Sequence, residues 1–185
     1  CIRDSIELDK ELPITVEAFR DACGDHLSKS QWRLLNSLLD GEVSCEITHP
    51  FANRWFHAEI QLKNAVARQR AQIRGVDVKP FLRSHDHFIG LIETRVQEAF
   101  NAEDPAELES LLDHTRWELA EDFIGEDTYG FAKLAAYAVQ LRIATRWNRL
   151  NDETGRINLE KTITHNTESE AVSYTHLRAH ETVRN

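Results

Sequence analysis

The stretch from Pro50 to Gly75, PFANRWFHAEIQLKNAVARQRAQIRG, reads as one long, unbroken helix, and any fold of this chain has to bury it. On a 3.6-residue period Trp55, Glu59, Leu62, Val66, Arg70 and Ile73 fall on one stripe, with Phe51, Ala58 and Gln69 along its edge. Two of the six stripe residues are charged. An unpaired charge in an apolar interior is prohibitively costly, so Glu59 and Arg70 are expected to lie in an internal ion-pair seam, each with a partner. Such a seam is expected to set register more than to add stability.

The flanking segments read as further helices. Pro13 and Thr15 open a short one, VEAFRDACGDHL, with Val16, Phe19 and Cys23 on its apolar side and Thr15 as N-cap. Ser28 and Gln31 have the spacing of a capping box, and the helix they start carries Trp32, Leu34, Leu35, Leu38 and Leu39 before stopping at Asp40-Gly41. These two form a small N-terminal helical hairpin. Residues 42–49, EVSCEITH, are a connector of strand-like composition, too isolated to build a sheet. After Gly75 a second connector, VDVKPFLR, is interrupted by Pro80.

Helical periodicity resumes from about Ser84 to Asn101, with His85, Phe88, Ile92, Val96 and Ala99 on one stripe. In the next segment, AEDPAELESLLDHTRWELAEDFIG, Pro105 sits in a first turn and acids cluster near the helix start, where the dipole favours them. Leu108, Leu111, Leu112, Leu119 and Phe123 form its core stripe. Trp117 lies opposite that stripe, either covered by another element or anchoring a partner. The last helix, about Asp127 to Leu150, is apolar on two sides: Leu134, Ala138, Leu141 and Thr145 on one, Val139, Ile143, Trp147 and Leu150 on the other. That pattern belongs to the middle of a bundle. Between the two sides Arg142, Arg146 and Arg149 line up at i, i+4 and i+7. They either pair with Asp113, Glu118 or Asp122 of the preceding helix or form a basic stripe for an acidic partner helix. The expected fold is all-α: a multi-helix bundle of long antiparallel helices with the small N-terminal hairpin.

Composition agrees with a helix-rich chain, since 185 residues contain only 4 Pro and 7 Gly with 41% hydrophobic and 29% charged residues. A net charge of -9 argues against nucleic-acid binding, which needs surplus Lys and Arg. Three cysteines, Cys1, Cys23 and Cys45, show no CxxC spacing and suggest neither a disulfide framework nor a zinc site; a reducing cytoplasm fits best. The opening CIRDSIELDKELP has no apolar signal-peptide core, and no apolar run is long enough for a membrane span. With Cys1 first and no Met anywhere, the chain reads as an N-terminally truncated fragment or processed product. Residues 1–170 are expected to form a single helical domain whose end, RINLEKTITHNTESE, is loose. Residues 171–185, AVSYTHLRAHETVRN, read as a translated sequencing adapter, which sets aside His176 and His180.

Few residues suggest bond chemistry. Ser84-His85-Asp86-His87 offers an HxH pair and Glu46-Ile47-Thr48-His49 an ExxH, but a two-metal bundle needs two ExxH motifs on helices plus two further carboxylates. A metal-dependent helical-bundle enzyme using His85, His87 and Glu59 or His114 is the alternative function. There is no Gly-x-Ser-x-Gly elbow and no Gly-rich phosphate loop. Glu118 and Asp122 make an i, i+4 carboxylate pair within an acidic run that reads as a solvated or partner-facing surface. No catalytic, cofactor-binding or metal residue is therefore expected.

Three stretches carry a family resemblance: FANRWFHAEIQLKNAVARQRAQIRG, DPAELESLLDHTRWELAEDF and FAKLAAYAVQLRIATRWNRLNDETG. Within them Glu59, Leu62, Asn64, Arg70 and Ala71, then Asp104-Pro105 with Leu112-Asp113, then Tyr137, Gln140-Leu141 and Arg146 carry the pattern. Over Leu12 to Thr162 the chain resembles a bacterial family of uncharacterised proteins encoded with V-type ATP synthase genes, itself similar to the C (or d) subunit of V/A-type ATPases. The resemblance implies a non-catalytic, all-helical adaptor without cofactor, cytoplasmic and peripheral to the inner membrane, seated between the central shaft and the membrane proteolipid ring of a rotary ATPase. Trp117, Arg142, Arg146 and Arg149 are then candidate partner contacts.

Overall fold

A computed structural model describes residues 12–42, 49–126 and 129–150, and every long regular element among them is an α-helix. The first two, α1 (Val16–Gly24) and α2 (Lys29–Asp40), are capped as their sequences dictate. Thr15 Oγ1 accepts the Ala18 N–H at 3.2 Å, and Ser28 and Gln31 satisfy each other's backbone N–H groups in a reciprocal capping box. Packing of α1 on α2 buries Phe19, Cys23, Leu35, Leu38 and Leu39, and the Arg20–Asp40 ion pair ties the two helices.

Gly41 ends α2 in the left-handed region, with φ 75°. A Cβ there would fall 2.6 Å from Arg142 Nη1, so this glycine also makes room for a guanidinium. Gly75, with φ 66°, has nothing within 4 Å of its missing Cβ. Gly75→Ala is expected to cost roughly 1 kcal/mol from left-handed strain alone. Gly41→Ala should cost about 1 kcal/mol more in urea denaturation, because Arg142 has to move as well.

The long helix, α3 (Pro50–Arg74), starts with His49 as N-cap, its Nδ1 accepting the Phe51 N–H at 3.2 Å, and has Pro50 in its first turn. Its first half is deeply buried through Phe51, Ala52, Trp55, Ala58 and Leu62. Phe51 stacks on Trp55 and meets Phe123 edge-on, while the Arg54 guanidinium lies 4.3 Å above the Phe123 ring. The Trp55 indole N–H is buried with no acceptor among the described residues.

The second half departs from the expected stripe. Val66 is buried, but Arg70 is exposed and Ile73 is 73% exposed. The last two turns of α3 run past the cover that its neighbours supply along this side. Periodicity tells which way a side chain points and not how far a neighbouring helix reaches.

A single 3-10 turn, Lys79–Phe81, contains Pro80, and α4 then covers only Gly90–Ala99. The helix expected from Ser84 therefore starts six residues late. His87 has φ 59° and Phe88 is 72% exposed, whereas Ile92, Val96 and Ala99 are buried as the stripe requires. Next, α5 (Pro105–Asp122) opens on Asp104, whose carboxylate accepts the Glu107 N–H at 2.8 Å. It buries Leu112 and Leu119, with Phe123 just beyond its end, and leaves Leu111 39% exposed. Of these helices, α4 packs on both α3 and α5.

The last helix, α6 (Phe131–Arg149), is buried nearly all round in its first three turns, where Ala132, Ala135, Ala136, Ala138 and Val139 let other elements approach closely. Tyr137 meets Phe19 at 5.0 Å between ring centroids, and Phe131 meets His49 at the same distance. Leu150, expected on an apolar side, is exposed. The chain divides into two compact units, Cys1–Thr145 and Arg146–Asn185, and the packing above belongs to the first. Among the described residues no helix is long and apolar enough to cross a membrane. The strand-like connector beyond Glu42, with Cys45 and Glu46, the tail after Leu150 and the adapter-like end lie outside the described residues.

Candidate functional site

Three polar side chains, His57, Gln61 and Asn64, recur at i, i+4 and i+7 along one side of α3 and grip the irregular segment that precedes α4. Asn64 donates to the Arg83 C=O at 2.7 Å and accepts the Arg83 N–H at 3.0 Å. Gln61 does the same to Ile89, at 2.9 Å in both directions, and also reaches Glu93 at 3.3 Å. His57 Nδ1 accepts the Asp86 N–H at 3.0 Å, which assigns the ring hydrogen to Nε2, 3.4 Å from the Asp86 carboxylate.

A primary amide presents the same donor and acceptor as a peptide group. Gln61 and Asn64, both buried, therefore replace the neighbouring strand that an extended segment would otherwise need. Within residues 83–89, the backbone of Arg83, Asp86 and Ile89 bonds to α3 in place of helical partners, and His87 adopts the left-handed region. Arg68 extends the contact with an ion pair to Glu93 at 2.6 Å.

The second feature is an ion-paired trio on the adjoining side of α3. Arg116 of α5 donates through Nε to Glu59 at 2.8 Å and through Nη1 to Asp113 at 2.8 Å, and Lys63 stands 3.8 Å from the second Glu59 oxygen. The Asp113 side chain is 3% exposed, Glu59 13% and Arg116 16%. Burial alone would lower the Arg116 pKa. The adjacent Glu59 and Asp113 carboxylates outweigh it and push the pKa above the ordinary arginine value. A guanidinium held this way stays charged at any working pH and serves as a fixed cationic tie between α3 and α5. Nearer the solvent, Arg95 joins α4 to α5 through Glu118 at 3.3 Å and also bonds Glu98; the Glu98 hydrogen bond and the Glu118 charge raise its pKa.

Glu59 thus has a partner on α5, and Arg70 takes no part in that seam; it stands exposed on the part of α3 that runs past its cover. Asp113, expected either within a solvated or partner-facing acidic run or as a partner for the arginines of the last helix, is buried. Trp117 is half-buried. Arg142 is half-buried beside Gly41 and lines a cavity of about 660 Å³ together with Glu59, Lys63, Asn64 and Arg83. In the second unit Arg146 and Arg149 are exposed, and the Arg146 guanidinium lies 5.6 Å from the ring of its neighbour Trp147.

The residues weighed for metal chemistry have other partners. His85 Nδ1 lies 3.1 Å from the His87 carbonyl, His114 Nδ1 lies 2.9 Å from the Ser110 carbonyl of its own helix, and His49 caps α3. Among the described residues no three His, Cys, Asp or Glu side chains are grouped to hold a metal ion. Cys23 is buried, and that burial pushes its thiol pKa up, the opposite of what a nucleophilic cysteine needs.

Arg116 escaped the sequence reading although its signal was present. It stands at i+4 from Leu112 and i−3 from Leu119, a charge within the core stripe of α5, as Glu59 is within that of α3. Comparison of the chain with protein-family models, with curated proteins and with solved structures finds no match.

Proposed function

We propose that the chain is a non-catalytic adaptor subunit or assembly partner of a bacterial V-type rotary ATPase, linking the central shaft to the membrane proteolipid ring during ATP-driven or ATP-synthesising ion transport. One observation carries the reading. Two separate parts of the family pattern, Glu59 in the long helix and Asp113 in the acidic helix, converge on the same guanidinium, that of Arg116. A third pattern residue, Asn64, fastens the segment before α4. Residues that carry a resemblance and also lock helices together suit a part that transmits force, because a torque-bearing connector needs stiff joints and no reactive group. In this reading the helices form a bundle of long antiparallel members on the cytoplasmic side, peripheral to the inner membrane. Trp117, Arg142, Arg146 and Arg149 are the surfaces offered to other subunits.

The deciding experiment is purification of the detergent-solubilised rotary complex from cells expressing the tagged protein. The protein is expected in the complex at a fixed ratio, and Glu59→Leu is expected to reduce that ratio through faulty packing. A complex that assembles and turns over ATP with the protein absent from it overturns the proposal.

A further inference from the structure

From the groove between the second half of α3 and the first half of α5 we infer that this face receives an acidic amphipathic helix of a partner protein. The groove encloses about 470 Å³. Its floor is apolar and partly small: Val66, Ala67 and Ala71 of α3 and Leu112 of α5. Val76 and Phe81, 53% and 68% exposed, wall the end where the connector leaves α3.

The rim is cationic. Lys63, Arg70 and Arg74 follow one another at intervals of seven and four residues, the spacing of one side of a helix, and all three are basic. Among the described residues Lys63 makes one ion pair, the 3.8 Å contact to Glu59, and neither Arg70 nor Arg74 makes any. Glu109 is the acid that lines the α5 side. In a chain of net charge -9, three cations beside an apolar trough form a local field of the opposite sign.

Geometry selects the occupant. From Lys63 to Arg74 the stripe runs about 16 Å along α3, or three helical turns. A single carboxylate, as on a fatty acid, answers one of three cations spread over that length. A flat anionic bilayer touches the rim but does not reach Leu112 on the floor. A helix with apolar side chains on one stripe and Glu or Asp beside it meets both the floor and the row of cations. This surface is distinct from the contacts assigned to the rotary complex, and the inference stands whether or not that assignment holds.

The test uses two fluorescein-labelled 18-residue helical peptides that share a Leu/Ala stripe and differ in carrying Glu or Lys beside it, titrated with the full chain and read by anisotropy. The Glu peptide is expected to bind at low salt, at least tenfold more tightly than the Lys peptide, and to weaken as salt rises. The doubly substituted Arg70→Glu, Arg74→Glu chain should lose at least tenfold. The milder Arg70→Gln, Arg74→Gln chain should lose several-fold, and Ala67→Phe should block the trough; circular dichroism checks that each is folded. No binding of the Glu peptide, equal binding of the two peptides, or indifference to Arg70 and Arg74 overturns the inference. So does saturable, Arg70- and Arg74-dependent binding of dodecanoate or phosphatidylglycerol vesicles with none of the Glu peptide.

Discussion

Arg116→Ala is expected to destabilise the protein by about 3–5 kcal/mol, a large share of the margin of about 5–15 kcal/mol that a folded domain has. The loss comes from what the substitution leaves behind more than from the bonds it removes. Asp113, 3% exposed, and Glu59, 13% exposed, would face each other's surroundings as carboxylates with their shared cation gone. Chemical denaturation at pH 7 measures the effect. Arg116→Lys should fall in between, because one ammonium cannot match the fork that serves both acids.

The simultaneous change Glu59→Leu, Asp113→Leu, Arg116→Met should recover most of the loss, since an apolar cluster of similar volume avoids desolvating three charges. If the trio sets register, that triple variant will be stable while losing the chemical-shift dispersion of a single packing. The pH dependence has a definite sign. A cation whose folded pKa is raised contributes fully below its unfolded value, here the ordinary arginine one, and loses that contribution only as pH rises through the folded value. The cost of Arg116→Ala should therefore not decline between pH 7 and pH 9.

Gln61→Leu is expected to cost about 1–3 kcal/mol, because it strands the N–H of Ile89 in a partly buried place and leaves the Ile89 C=O with the Ile92 N–H alone. The signature is local. Amide exchange at Ile89 should accelerate far more than at Phe19 or Leu38, which belong to the N-terminal hairpin. Asn64→Leu should act in the same way on Arg83. Gln61→Glu separates the two halves of the clamp: it keeps the acceptor for the Ile89 N–H but sets a carboxylate against the Ile89 carbonyl and Glu93. A loss nearly as large as that of Gln61→Leu is expected. A Gln61→Glu chain as stable as the parent would show that the acceptor half suffices.

Loss of these clamps should also change what the segment before α4 does. Residues 84–89 carry helical periodicity, and the bonds from α3 together with the left-handed backbone of His87 oppose it. With Gln61 and Asn64 both replaced by Leu, α4 is expected to extend toward Ser84, with circular dichroism recording a gain of helix while amide exchange records a loss of tertiary order.

The chain's local signals were read directly from its letters. Thr15, Ser28 with Gln31, Pro50, Gly75 and Asp104-Pro105 mark helix ends through contacts that span a few residues, and all-α architecture follows from what lies between those marks. The inconvenient charge at Glu59 was legible as a demand for a partner. Its identity was not, because Arg116 lies 57 positions away and only the tertiary arrangement, with α4 packed on both α3 and α5, brings the two together. Arg70 shows the same limit in reverse: it shares the stripe of Glu59, yet α3 outruns its cover before that turn. The start of α4 was decided by three α3 side chains that outbid local helical bonding for the backbone of residues 83–89. Periodicity and capping are properties of a segment and its own solvent exposure. Pairing, reach and competition for backbone groups are properties of two segments at once, and only the tertiary structure holds both.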